Sequence, residues 1–206
     1  MSFTGERKGR LIVFEGIDGT GKSTHIGQLR KYLEGKGLEV VQSFEPTRGP
    51  WGRMLRDSAV TGRLSVEDEV ELFLKDRREH VETLIAPALA RGAWVLLDRY
   101  YLSMMAYQGA RGVDTSVIRA ANEEFAPVPD AVVWLDIPVS VALERIGSRG
   151  ERDAFETEAG LTACRNVFAS IHEPWMLRGD ADAGKEEAAA RVREALSGNF
   201  PEVISE

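Results

Sequence analysis

Leu11-Ile12-Val13-Phe14-Glu15-Gly16-Ile17-Asp18-Gly19-Thr20-Gly21-Lys22-Ser23-Thr24 is the stretch that decides the fold. Four apolar residues in a row read as a strand covered on both faces. Gly16 to Ser23 then complete the pattern G-x-x-x-x-G-K-[ST], and helical spacing follows. Strand, glycine loop and helix are the setting in which that pattern holds phosphate. The glycines let the backbone wrap so that successive N–H groups point at phosphate oxygens. The helix N-terminus adds its partial positive charge. In such a loop Lys22 reaches the β- and γ-phosphates, and the Ser23 hydroxyl holds Mg²⁺. Residues 16–24 are therefore the expected phosphate-binding segment.

Working outward, further short apolar runs read as strands at Val40–Phe44, Trp94–Leu97 and Ala131–Leu135, with a weaker one at Trp175–Leu177. Helix-like spacing fills Ser23–Leu33, Val66–Leu89, Ser116–Phe125, Ser140–Ile146, Leu161–Ile171 and Lys185–Leu196. In Val66–Leu89, Ser65 and Asp68 form a capping pair, Pro87 marks a kink and Gly92 an end. Such alternation predicts one α/β domain spanning 1–206. Its parallel sheet of about five strands carries helices on both faces, in the manner of P-loop NTPases. The polar, glycine-containing segment around 145–157 reads as a mobile surface element. The tail after Gly198 is expected to be poorly ordered.

The bulk numbers narrow the partners. A formal net charge of −7 argues against non-specific binding to nucleic acid or an anionic membrane. Cys164 is the only cysteine, so no internal disulfide forms. No run approaches the ~18 consecutive apolar residues of a membrane span. The polar first ten residues do not read as a signal peptide, and the expected location is the cytoplasm. His25, His80 and His172 are too scattered for a zinc site. The base-reading pattern N-K-x-D of GTPases is missing, and the chain is short for a motor ATPase. That leaves small-molecule kinases as the best reading of the loop. A nucleotide-binding switch with little transfer activity is the rival from another class.

A second constellation sharpens this. The third strand runs into Asp98-Arg99-Tyr100, followed by Ser103 and Ala106-Tyr107-Gln108-Gly109. With Phe14 to Thr24, Glu45-Pro46-Thr47, Leu72 to Arg77, Pro129-Asp130 and the arginines from Arg145 to Arg152, the chain resembles the thymidylate kinase family over most of its length. The resemblance implies transfer of the γ-phosphoryl group of ATP, with Mg²⁺, to dTMP. A kinase of another monophosphate or small acceptor is the alternative. It implies roles for individual residues too. Asp18 lies between donor and acceptor, and Arg77 and Arg99 clamp the acceptor phosphate with their planar forks. Phe73 stacks on the base, and Ser103, Tyr107 and Gln108 line the sugar and base pocket. Asp98 joins Ser23 at the metal through water, and Arg48 is a further candidate at the acceptor phosphate. A homodimer is implied as well.

Two features are peculiar to this sequence. Some thymidylate kinases carry an arginine in the loop where Gly19 stands here, and others bring the cation in on a lid. Gly19, with Arg145, Arg149 and Arg152 further on, reads as the lid type, with Arg149 or Arg152 acting on the migrating group. The sequence Asp153-Ala154-Phe155-Glu156 departs from the Asp-Arg-x-Glu usual at this point. Met104 stands where the family offers a small polar side chain to the base, and a thioether is a poor hydrogen-bond partner.

Overall fold

The computed structural model describes residues 8–147, 157–180 and 185–204. Its strands are β1 (Arg10–Glu15), β2 (Val40–Phe44), β3 (Trp94–Asp98), β4 (Ala131–Asp136) and β5 (Met176–Asp180). They form one parallel sheet in the order β2-β3-β1-β4-β5. Successive side chains of a strand point to opposite faces. Leu11, Ile12, Val13 and Phe14 of β1 are all buried, as are Val95, Leu96 and Leu97 of β3, so the central strands are covered on both sides. Edge strand β2 is the least buried.

The covering helices are α1 (Lys22–Gly35), α2 (Pro50–Thr61), α3 (Val66–His80), α4 (Ala86–Ala90), α5 (Tyr101–Gly109), α6 (Thr115–Glu123), α7 (Val139–Gly147), α8 (Glu158–Ser170) and α9 (Lys185–Ser197). Ser65 caps α3 by accepting from the Asp68 amide at 3.1 Å. The expected single helix over 66–89 is divided by a π-helical turn at Val81–Ile85. Pro87 follows two residues later and has no N–H to return to the preceding turn, so the ladder changes where that donor is missing. Gly92 ends the segment with a positive φ of 95°.

The tail corrects one expectation. Residues 199–204 turn back under the sheet rather than leaving it. Phe200 meets Trp94 edge to face at 5.2 Å between centroids, and Ile204 is buried. Two apolar side chains anchor a segment whose place at the tail suggested looseness. The lid residues Arg149 and Arg152 lie outside the described residues.

Candidate active site

The carboxyl ends of β1, β2 and β3 converge on two adjoining cavities, the usual place for ligands in an open parallel sheet. One, of about 530 Å³, is built on the glycine loop and takes in Gly19, Lys22, Ser23, Thr24, Phe44 and Asp98. The other, of about 220 Å³, lies toward α2, α3 and α5. Phe73, Arg77, Ser103, Met104, Tyr107 and Gln108 are in its wall. Asp18, Glu45 and Arg99 belong to both.

The loop has the geometry its glycines allow. Gly19 sits at φ 84°, and a Cβ there would meet the Ala142 carbonyl oxygen at 2.7 Å. No side chain caps α1, whose N-cap is Gly21 in the left-handed region. Lys22 folds back to donate to the carbonyls of Gly16 and Ile17 at 3.0 and 3.1 Å. Burial, with Arg99 nearby, pulls its pKa down to about 8. Ser23 Oγ donates to Asp98 Oδ2 at 2.8 Å, so the two expected metal-side residues meet. The Thr20 hydroxyl turns inward to the Ile17 carbonyl.

Arg99 is the hub. Its backbone adopts φ 69°, the left-handed region that side chains disfavour, while its N–H still bonds to Phe14 O at 2.9 Å. From there the guanidinium reaches Asp18 Oδ1 at 2.7 Å, Ser103 Oγ at 3.0 Å, Tyr107 Oη at 3.2 Å and Gly16 O at 3.3 Å. The Tyr107 hydroxyl donates to Asp18 Oδ2 at 2.9 Å. Burial alone would raise the Asp18 pKa. The charges of Arg99 and Lys22 and these hydrogen bonds outweigh it and hold the carboxyl well below the usual range.

Arg77 lies deeper than a surface clamp, at 1 % exposure. Its Nε donates to Glu45 Oε2 at 2.8 Å, with Nη2 in ion-pair contact with the same oxygen at 2.7 Å, and Nη1 donates to Asn122 Oδ1. Met104 Sδ is 3.6 Å from Arg77 Nη1 and 3.5 Å from Asn122 Nδ2, so the thioether is tied into this group. Gln108 donates to Glu69, and its Oε1 is buried with no hydrogen-bond partner among the described residues. One expected substrate residue stands apart. Arg48 is exposed over the Phe44 ring, 5.5 Å from its centroid, and lies in neither cavity wall. The loop that carries it is pinned instead through Thr47, which donates to Asp76 from its N–H and hydroxyl.

Sequence reasoning gave no role to Glu15, which organises this corner. Fully buried at the end of β1, it accepts from Tyr100 N and Ser103 N at 2.8 and 3.0 Å and from Ser103 Oγ. It thereby supplies, from another strand, the cap that α5 lacks from its own N-cap residue. The available signal was a charged residue directly after four apolar ones. Burial pushes its pKa up to about 7, against the opposing pull of those hydrogen bonds and Arg99. A carboxyl raised on folding stabilises the fold below its unfolded pKa, and that contribution is lost as pH rises from 4.5 to about 7. Glu15→Gln keeps an acceptor oxygen and does not titrate. Urea unfolding of both proteins at pH 5 and pH 8 is expected to show the variant gaining on the parent by roughly 2.5 kcal/mol across that interval. A constant difference between the two proteins would mean that Glu15 titrates normally.

A glycine loop on β1 and a second cavity sharing its wall define a P-loop phosphotransferase that brings two phosphates together. Comparison with known proteins carries this further. The thymidylate kinase family model matches residues 14–192. The chain is 89 % identical over 204 residues to a thymidylate kinase of Akkermansia muciniphila, covering 99 % of each. It is 52 % identical over 194 residues to one of Xanthomonas campestris pv. campestris (92 % of this chain, 85 % of that one). With one of Xylella fastidiosa the identity is 50 % over 179 residues (86 % and 82 %). The chain belongs to the thymidylate kinase family.

Proposed function

We infer that this chain phosphorylates dTMP to dTDP at the expense of ATP, across the boundary between its two cavities. The observation that carries the reading is their common wall of Asp18, Glu45 and Arg99. A phosphate on the loop and a phosphate in the smaller cavity would meet there. Transfer of this kind needs alignment and positive charge more than covalent help. Lys22 serves the donor, Arg99 the acceptor phosphate, and Asp18 orients Arg99 and Tyr107 between them. Ser23 and Asp98 fit Mg²⁺, because a hydroxyl and a carboxylate converge and phosphate oxygens complete such a shell. The ion would neutralise charge on the transferring group. Arg77 and Phe73 serve the acceptor end, and Gln108 Oε1 would be satisfied by a base N–H.

The cation on the migrating group comes from the lid in this reading. The Ala142 carbonyl leaves no room for a side chain at residue 19, and Arg145 Nη1 reaches to within 3.5 Å of Gly19 O. Arg149 or Arg152 is then the residue that completes the charge. Among the described residues no helix is long and apolar enough to cross a membrane. Action in the cytoplasm, where free nucleotides are, and assembly as a homodimer belong to the proposal. Sedimentation of the full chain tests the second.

The assay that tests the whole is ADP release with ATP and a panel of nucleoside monophosphates. dTMP is expected to be the best acceptor, and a purine monophosphate in that position would overturn the reading. Met104 sets the expected margin. With a thioether in the wall, discrimination of dTMP from dCMP, whose base differs in its hydrogen-bonding edge, is expected to fall short of the ~10⁴ or more that polar readout gives in kcat/KM. Met104→Thr is expected to widen the margin. A parent that already separates the two by ~10⁴, unchanged by the substitution, would reduce Met104 to packing.

A further inference from the structure

His80 ends α3 one turn beyond Arg77, on the same helix face. It is 5 % exposed, and both ring nitrogens are engaged. Nδ1 is 2.9 Å from Glu45 Oε1, and Nε2 is 2.8 Å from Ser43 Oγ on β2. A carboxylate only accepts, so Nδ1 carries a proton and donates it to Glu45. Glu45, at 4 % exposure, stands in the wall common to both cavities. Its two oxygens are divided between partners: Oε1 takes His80, and Oε2 alone takes both Nε and Nη2 of Arg77.

That division is unusual for an arginine. Arginine and carboxylate commonly meet fork to fork, with one nitrogen on each oxygen. Here one oxygen is already occupied, so the guanidinium is offset toward the other. Its Nη1 is directed to Asn122 and to Met104, which stands in the acceptor cavity wall. We propose that His80 is a positioning residue for the acceptor: by holding Glu45 Oε1 it sets the rotation of the carboxylate, and through it the direction of Arg77. This rests on the reading of the smaller cavity as the acceptor site. Without the imidazole, Oε1 is free and the carboxylate turns to meet both nitrogens in a symmetric fork. Arg77 is then drawn toward Glu45 and away from the bound monophosphate. Ser43 holds the far side of the ring, so the arrangement is anchored on β2 rather than on α3 alone.

Steady-state kinetics of the full-length protein with dTMP and ATP tests this, alongside thermal unfolding. His80→Leu is expected to raise KM for dTMP ~10-fold, the scale of one hydrogen bond to a charged group. KM for ATP and kcat should stay within about threefold. His80→Asn places an amide N–H near the position of Nδ1 and is expected to recover most of the loss. In a Glu45→Gln background the His80→Leu change should have little further effect, because its route to Arg77 is already altered. An unchanged KM for dTMP in His80→Leu overturns the proposal. So does a fall in melting temperature with KM for both substrates raised alike and no rescue by Asn, which is the pattern of simple packing loss. Arg77→Ala is the control. If it raises KM for dTMP and His80→Leu does not, positioning by His80 alone is rejected. If Arg77→Ala also leaves KM unchanged, the acceptor-site reading fails as well.

Discussion

Lys22→Ala is expected to yield a folded protein whose turnover is lower by ~10²–10³-fold. The side chain is buried at the start of α1, with its ammonium on the carbonyls of Gly16 and Ile17. The hydrophobic stripe of α1 is formed by Ile26, Leu29 and Leu33, which remain. What disappears is the one lysine that the described residues bring to the loop cavity wall, a charge that would face the developing negative charge of the transferring group. Interactions of that kind are worth about 3–4 kcal/mol of barrier, hence the size of the effect. Burial has brought its pKa to about 8, so it is charged at neutral pH, and a bound polyphosphate favours that form further. The measurement is kcat for ADP formation at saturating substrates, beside circular dichroism and the unfolding midpoint. Turnover within tenfold of the parent would show that phosphate is held elsewhere.

Arg99 offers a sharper experiment, because its backbone and side chain are separately readable. Arg99→Ala removes the cation shared by the two cavities and leaves the Asp18 carboxylate with only Tyr107 and Lys22 near it. The loss in kcat/KM should reach ~10³-fold, with both acceptor affinity and the Asp18 geometry damaged together. Arg99→Gly should lose as much activity. It differs in stability: at φ 69° a glycine carries no Cβ penalty, whereas alanine keeps it. The glycine variant is therefore expected to be the more stable of the two by roughly 1 kcal/mol in urea unfolding. Equal stabilities would mean that the left-handed backbone is not strained. Unequal activities would mean that the strain, and not the guanidinium, sets the rate.

Much of this was legible in the sequence, and the failures have physical reasons. The strands β1, β3 and β4 were found because a sheet covered on both faces writes its central strands as unbroken apolar runs, while the edge strands β2 and β5 showed only broken ones. Two helices were not. In α5, Tyr101 to Ala106 are all buried, so no polar face exists to create a period. In α2 the buried positions are Gly52, Leu55 and Ser58, two of them small, which leaves no apolar stripe to count. The loop, Asp98, Arg99 and Tyr107 announced themselves through motif and position. Glu15, Glu45 and Asn122 could not, since what matters about them is burial against residues 32 to 88 positions away. Arg48 shows the converse, where a suitable residue type in a nearby loop stands over Phe44 and outside both cavity walls.

The turn of chain beneath the sheet has a practical meaning. Trp94 begins β3 and Arg10 begins β1, and Phe200 touches both, by an aromatic edge and under a guanidinium 5.9 Å away. These are the amino ends of strands whose carboxyl ends carry the chemistry. The molecule thus has a working rim and a foundation rim, with the central strands as pillars between them. Phe200 and Ile204 are buried at that foundation and line neither of the two cavities. A cut after Gly198 takes away the wedge formed by Phe200 and Ile204, and opens the base of the very strands that hold Asp18, Asp98 and Arg99 in register.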